Sequence, residues 1–210
     1  MKPKRMFVTR IVALILTFSV ITLSLCAANP TPEQVDALTK LLFLDIRSNN
    51  IERAKARIKA GANVNAMDDG ESCLMYAVKY GSKELVDMLI KAGADVNAKD
   101  DYSGGTVLMY ALIGKPGNIG NIANKDVVDI VKLLVGAGAN VNARDDDGNA
   151  VLVYAVIRGY EYDCYIDIVE LLIKAGADVN AKNNDGNSVL SSRPLKTYFE
   201  YLLKAYGAKE

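Results

Sequence analysis

A six-residue phrase returns four times in this 210-residue chain. Residues 61–66 read GANVNA, 93–98 GADVNA, 138–143 GANVNA and 176–181 GADVNA. Successive copies begin 32, 45 and 38 residues apart. Near-regular self-similarity at this scale marks a stack of repeats, because one unit cannot bury its apolar side alone and does so against its neighbours. The fold is constrained before any element is assigned. The function class is narrowed too, since such a stack presents an extended surface.

Each phrase closes an apolar run of helical period. Leu85, Val86, Met88, Leu89 and Ile90 precede the second copy, and Ile168, Val169, Leu171, Leu172 and Ile173 the fourth. Val127, Val128, Ile130, Val131, Leu133 and Leu134 do the same before the third. Such spacing buries one helix face, and the opening Gly stands where a left-handed residue stops a helix. Turn formers follow: Asp68-Asp69-Gly70, Asp145-Asp146-Asp147-Gly148 and Asn183-Asn184-Asp185-Gly186. Next come SCLMYA (72–77), TVLMYA (106–111) and AVLVYA (150–155). Ser72 and Thr106 are good N-caps for another helix. Ala77, Ala111 and Ala155 let helices approach closely.

At these residues the chain resembles the ankyrin repeat family, whose unit is a β-turn and two antiparallel helices in about 33 residues. Residues 83–98 (KELVDMLIKAGADVNA) match the second half of the family pattern closely. The first half departs from it: the family's TPLH becomes SCLM, TVLM and AVLV, without the His that commonly ties neighbouring repeats. The resemblance spans about residues 38–208. It implies an all-α repeat solenoid of helix-turn-helix repeats with β-turn fingers, about five repeats including caps. The expected boundaries are 38–66, 67–98, 99–143, 144–181 and 182–210 within a domain of 29–210.

Terminal repeats must show water one face. Thr31-Pro32-Glu33-Gln34 is a capping box with Pro at the first helical position, opening a helix to about Arg47. Residues 51–60 (IERAKARIKA) put four basic residues on the next helix. At the far end, 191–194 (SSRP) interrupts the last repeat, 195–206 supplies a closing helix, and Gly207-Ala208 echoes the phrase.

The first 28 residues read as a targeting segment. A basic start (1–10) meets a 15-residue uncharged apolar run (11–25) and then Cys26-Ala27-Ala28. That order is an export signal, with Cys26 and Ala28 small enough for cleavage after Ala28. Two other readings stay open: a lipoprotein in which Cys26 is lipidated, favoured by Leu23-Ser24-Leu25-Cys26, and an uncleaved anchor, for which 15 residues fall short of the ~20 a bilayer needs. The expected location is therefore the periplasm or the outside of a bacterial-type cell, with a membrane reached only through this signal or a lipid on Cys26.

Measured by the phrase, the 45-residue interval is long by two residues in the turn (Tyr102, Ser103) and about ten within 113–125. The 38-residue interval is long by five, within 160–166 (YEYDCYI). Both inserts fall between the two helices of adjacent repeats, so stacking sets them on one rim. Tyr160, Tyr162 and Tyr165 would make that rim a contact patch, since aromatic rings dominate interface energetics; tolerated surface insertion is the other reading. The resemblance implies further partner-binding positions on the turn tips and first helices: Asp68, Asp69, Glu71, Lys79 and Tyr80; Tyr102 and Ser103; Asp146, Asp147, Asn149, Ile157 and Arg158. Their acidity favours a basic or amide-rich protein partner, although Asp also simply builds turns. Tyr76, Tyr110 and Tyr154 repeat at one position and read first as core.

Chemistry is sparse. The chain has no His, the usual acid–base near neutral pH. Without residues 1–28, 21 basic side chains face 25 acidic ones, unlike a nucleic-acid footprint. The Asp145–Gly148 stretch, set as a calcium loop on Gly148, would put Ala143 and Tyr154 at ligand positions. Cys73 and Cys164 lie two repeats apart, and at roughly 10 Å per repeat they exceed the ~7 Å bridging limit. Cys73 reads as core, and Cys164 as a free thiol or an intermolecular bridge. The expectation is a monomeric, non-catalytic module that binds another protein, without cofactor, metal or nucleic acid. The open alternatives are a lipid-anchored structural envelope protein and an accessory factor protecting a periplasmic enzyme.

Overall fold

The computed structural model describes residues 30–114, 124–159, 165–191 and 197–209. Among them, helices come in consecutive pairs: α1 (Pro32–Arg47) with α2 (Ile51–Lys59), α3 (Cys73–Lys79) with α4 (Lys83–Lys91), α5 (Val107–Ile113) with α6 (Asn124–Gly136), and α7 (Val151–Gly159) with α8 (Tyr165–Lys174). A last helix, α9 (Thr197–Ala205), follows. First helices pack on first helices (α1, α3, α5, α7) and second on second (α2, α4, α6, α8), giving a two-layered all-α solenoid. No helix among the described residues is long and apolar enough to cross a membrane.

The helix ends follow the local chemistry. Thr31 and Gln34 form the capping box, with Pro32 in the first turn. Ser72 and Thr106 accept the amides of Met75 and Met109. In return the Met75 and Met109 sulfurs accept the N–H groups of Ser72 and Thr106, at 3.4 and 3.5 Å. Methionine thus does locally what a polar N3 side chain does in a capping box. Ala150, before α7, has no side-chain oxygen to offer.

The core lies between the layers, and its register is simple. Seven residues before each loop glycine stand Ala54, Val86, Val131 and Val169, all fully buried against the next repeat. The same place in the last repeat holds Glu200, exposed and paired with Lys204. At the other end, buried Asp45 pairs with Arg57 at 3.3 Å. Both caps replace apolar faces with charge, as a terminal repeat requires.

The recurring phrase also clamps neighbours together. Asn65 donates its amide to the Gly93 carbonyl and accepts the Asp95 N–H. Asn97 does the same to Gly138 and Asn140, Asn142 to Gly176 and Asp178, and Asn180 to Gly207 and Lys209. At the first repeat, buried Thr39 stands in: its hydroxyl accepts the Asn63 N–H.

Two expectations need adjustment. The tyrosine ladder is only partly core: Tyr76 is buried, but Tyr110 and Tyr154 are half-buried with polar ends engaged. The insert placed within 113–125 is narrower than that span, since Ile113 ends α5 and α6 begins at Asn124. Residues 115–123 and 160–164 do fall between the paired helices α5/α6 and α7/α8. Tyr160, Tyr162, Cys164, the 192–194 break, the targeting segment and Cys26 lie outside the described residues.

Candidate functional site

Four hairpin fingers project between the repeats. The first is a two-stranded ribbon, β1 (Met67–Asp68) and β2 (Glu71–Ser72), pairing Met67 with Ser72 and Asp68 with Glu71. Its central residues, Asp69 (φ 47) and Gly70 (φ 66), are both left-handed, the requirement of a type I′ turn and the reason for an Asp-Gly pair. Single bridges at Lys99–Thr106, Arg144–Ala150 and Lys182–Ser188 mark the later fingers. Adjacent tips are joined through the backbone: Asp101 N–H to Gly70 O, Asp146 N–H to Ser103 O, and Asn184 N–H to Asp147 O. The fingers therefore form one continuous ribbon. Its exposed acids are Asp69, Asp101, Asp146, Asp147 and Asp185.

The second and third fingers are each closed at the base by an acid of their own, Asp100 and Asp145. Asp100 accepts the amides of Tyr102 and Ser103 at 2.7 and 2.6 Å. Burial pushes this carboxyl up, but bonds from the Ser103 and Tyr102 amides, the Ser103 hydroxyl and Tyr110 outweigh it and hold it below the usual range. Asp145 accepts the Asn149 amide at 2.7 Å and the Tyr154 hydroxyl. Burial first, and then the Asp145 carboxylate, raise the Tyr154 phenol.

Beneath the first two fingers, the first helices carry an interleaved row of cations and rings. Arg47 pairs with Asp68 and lies 4.6 Å from the Tyr76 ring centroid. Lys79 donates to both Glu71 oxygens at 2.7 Å and sits 5.5 and 5.6 Å from the Tyr76 and Tyr110 rings. Tyr110 closes the set by donating to Glu71 at 3.2 Å. Its phenol is raised by burial and by the Glu71 and Asp100 charges. Further along, the equivalents of Lys79 are Ile113 and Ile157, so the floor turns from cationic to apolar. Beside them Arg158 donates to the Leu112 and Ile113 carbonyls, and the Tyr165 hydroxyl donates to Leu112 O at 2.9 Å.

A model described as ankyrin repeats (3 copies) matches residues 23–122 and 119–183. The chain belongs to the ankyrin repeat family. No curated protein sequence matches it significantly. Ankyrin repeats are protein-interaction scaffolds.

Among the residues expected to touch a partner, Asp69, Tyr102, Ser103, Asp146 and Asp147 are exposed on the ribbon, and Asp68, Asn149, Lys79, Tyr80, Ile157 and Arg158 are half-buried along it and the floor. Two corrections follow. Glu71 is only 9% exposed and serves as the internal counter-ion of Lys79, because the hairpin folds it back over α3. Tyr165 is 6% exposed: it lies eleven residues before Gly176, as Ser82 does before Gly93, and so falls in the core register rather than on the rim.

Sequence reasoning overlooked Leu44, 56% exposed at the place where later repeats carry tyrosine. It also overlooked Arg47. Asn49 (φ 52) occupies the left-handed corner that Gly81 (φ 70) occupies one repeat on, and counting back from each corner aligns Arg47 with Lys79. Cys73 is fully buried and its thiol is pushed up to about 12 by desolvation, which leaves it inert.

Proposed function

We propose that this ankyrin array is an exported protein-binding module that holds its partner along the finger ribbon and the first-helix floor. The observation that carries the binding face is the backbone-linked ribbon of four fingers, which lines exposed carboxylates along one edge above a floor ending in Ile113 and Ile157. A pre-organised surface of this kind loses little freedom on binding. Its charge favours a basic or amide-rich partner segment. Export is supported by the basic start, the apolar run 11–25 and the small residues before Asn29.

The test has two arms. Fractionation with intact-mass analysis should find the chain outside the cytoplasm and cleaved after Ala28; cytosolic protein with residues 1–28 intact would end the export reading. Affinity capture with the mature array should retain a partner that Asp69, Asp146 and Asp147→Asn together release. Capture unchanged by those substitutions would remove the ribbon from the binding face. A second reading, lipid attachment to the envelope, has its own motif in Leu23-Ser24-Leu25-Cys26. Acyl labelling that disappears in Cys26→Ala would establish it.

A further inference from the structure

The three intervals between neighbouring fingers are bridged differently on their outer side. Lys99 reaches across the second interval and donates Nζ to the Arg144 carbonyl at 2.9 Å. Arg144 reaches across the third and donates to the Lys182 carbonyl. In both, a basic side chain of one finger satisfies the backbone oxygen of the next. The equivalent residue in the first finger is Met67, which has no donor. No donor among the described residues reaches the Lys99 carbonyl.

A groove of about 500 Å³ opens at this interval. Its walls include Val64, Met67, Leu74 and Ala98, with Asp95 and Asp101 on the polar side. Met67 is 41% exposed. Asp95 and Asp101 are exposed and neither forms an ion pair among the described residues. An aliphatic stem with a cationic head suits such a site: apolar walls for the stem, two carboxylates and one free carbonyl for the head.

We propose that the first interval is a docking site for a lysine or arginine side chain of the protein partner. It takes, in trans, the place that Lys99 and Arg144 fill in cis. This rests on the reading of the array as a protein-binding module and names one contact that partner makes. The first interval is thus the point where a partner is read, while the next two are closed by the chain itself.

The test titrates the ¹⁵N-labelled full-length chain with acetyl-Ala-Lys-Ala-amide and with its norleucine analogue. The expected result is saturable shifts at the amides of Asn65, Met67, Lys99 and Asp101. The norleucine peptide should bind about tenfold more weakly, the worth of one charge-assisted hydrogen bond. Met67→Lys supplies the missing side chain in cis and should abolish saturable binding while the rest of the spectrum stays folded. Asp95→Asn with Asp101→Asn should weaken the lysine peptide and leave the norleucine peptide unchanged. Equal binding of the two peptides, or binding undiminished in Met67→Lys, overturns the proposal. So does the absence of saturable shifts at those amides. Capture of a protein partner equally by wild type and Met67→Lys would also refute the groove while leaving the binding module intact. Failure to capture any partner would count against the module, and the peptide titration would still decide the groove.

Discussion

Adjacent repeats meet along two edges that are built on different principles. On the loop edge, one asparagine makes the same pair of bonds at every junction: Asn65, Asn97, Asn142 and Asn180 each hold a glycine carbonyl and an amide one repeat on. On the finger edge the side-chain bridges vary, with a tyrosine at the first junction and basic side chains at the next two. Tyr102 joins only the tips of the first, lying over Gly70 and donating to Asp69, whereas Lys99 bridges the second along its outer side and Arg144 the third. Uniform bonds fix the stack. Variable bonds leave room for recognition. The two edges therefore divide the shared scaffold from the proposed binding face within a single repeat.

The contrast breaks most severely at the floor of the finger edge. Glu71→Ala strands Lys79 and the Tyr110 hydroxyl in partly buried surroundings, and should cost about 3 kcal/mol in denaturant unfolding. A loss under 1 kcal/mol would show that water replaces the carboxylate. The pH profile sharpens the same cluster. The folded pKa of Asp100 is lowered, so its stabilisation is complete above the unfolded value of about 3.9 and is lost as pH falls through the lower folded value. Tyr110 and Tyr154 are raised, so their stabilisation is complete below about 10 and is lost as pH rises beyond it. Thermal melts should therefore decline less steeply in alkali for Tyr110→Phe with Tyr154→Phe than for wild type.

On the loop edge, Asn97→Ala removes both bonds at one junction and leaves the Gly138 carbonyl and the Asn140 amide to solvent. The expected cost is about 2 kcal/mol, read as a lower denaturation midpoint. Helix α7 offers a gain instead. Ala150→Thr supplies the cap that Ser72 and Thr106 give their helices, and should add about 1 kcal/mol. The smallest effect belongs to the finger edge at the same junction as Asn97. Lys99→Met copies the first interval into the second and should cost about 0.5 kcal/mol or less, because it removes one exposed bond. If Lys99→Met proves as costly as Asn97→Ala, the division between scaffold and site fails.

Local signals carried far into this structure. The caps at Thr31, Ser72 and Thr106, the left-handed loop glycines and the layered helices all follow from nearest-neighbour chemistry. What escaped crosses a corner of the chain. Glu71 and Lys79 are eight residues apart across a hairpin and a helix start, a spacing that announces no pair in either element alone. The second role of the recurring asparagine is another case: its repetition was plain, but its partners lie 27 to 43 residues away. Tyr165 was within reach of the sequence. Counting from Gly176 rather than from the insert puts it in the core.

The substitute at Thr39 bears on how such an array can lengthen. Each interior unit carries an asparagine facing forward and a backbone amide facing back, so a tandem copy spliced between two units arrives with both halves of the contact. A copy placed ahead of α1 finds the Asn63 amide already taken by the Thr39 hydroxyl, where every later junction offers an asparagine. Gene duplication within the array is therefore compatible with the existing bonds, whereas a unit added ahead of α1 requires the Thr39 mimic to be dismantled first.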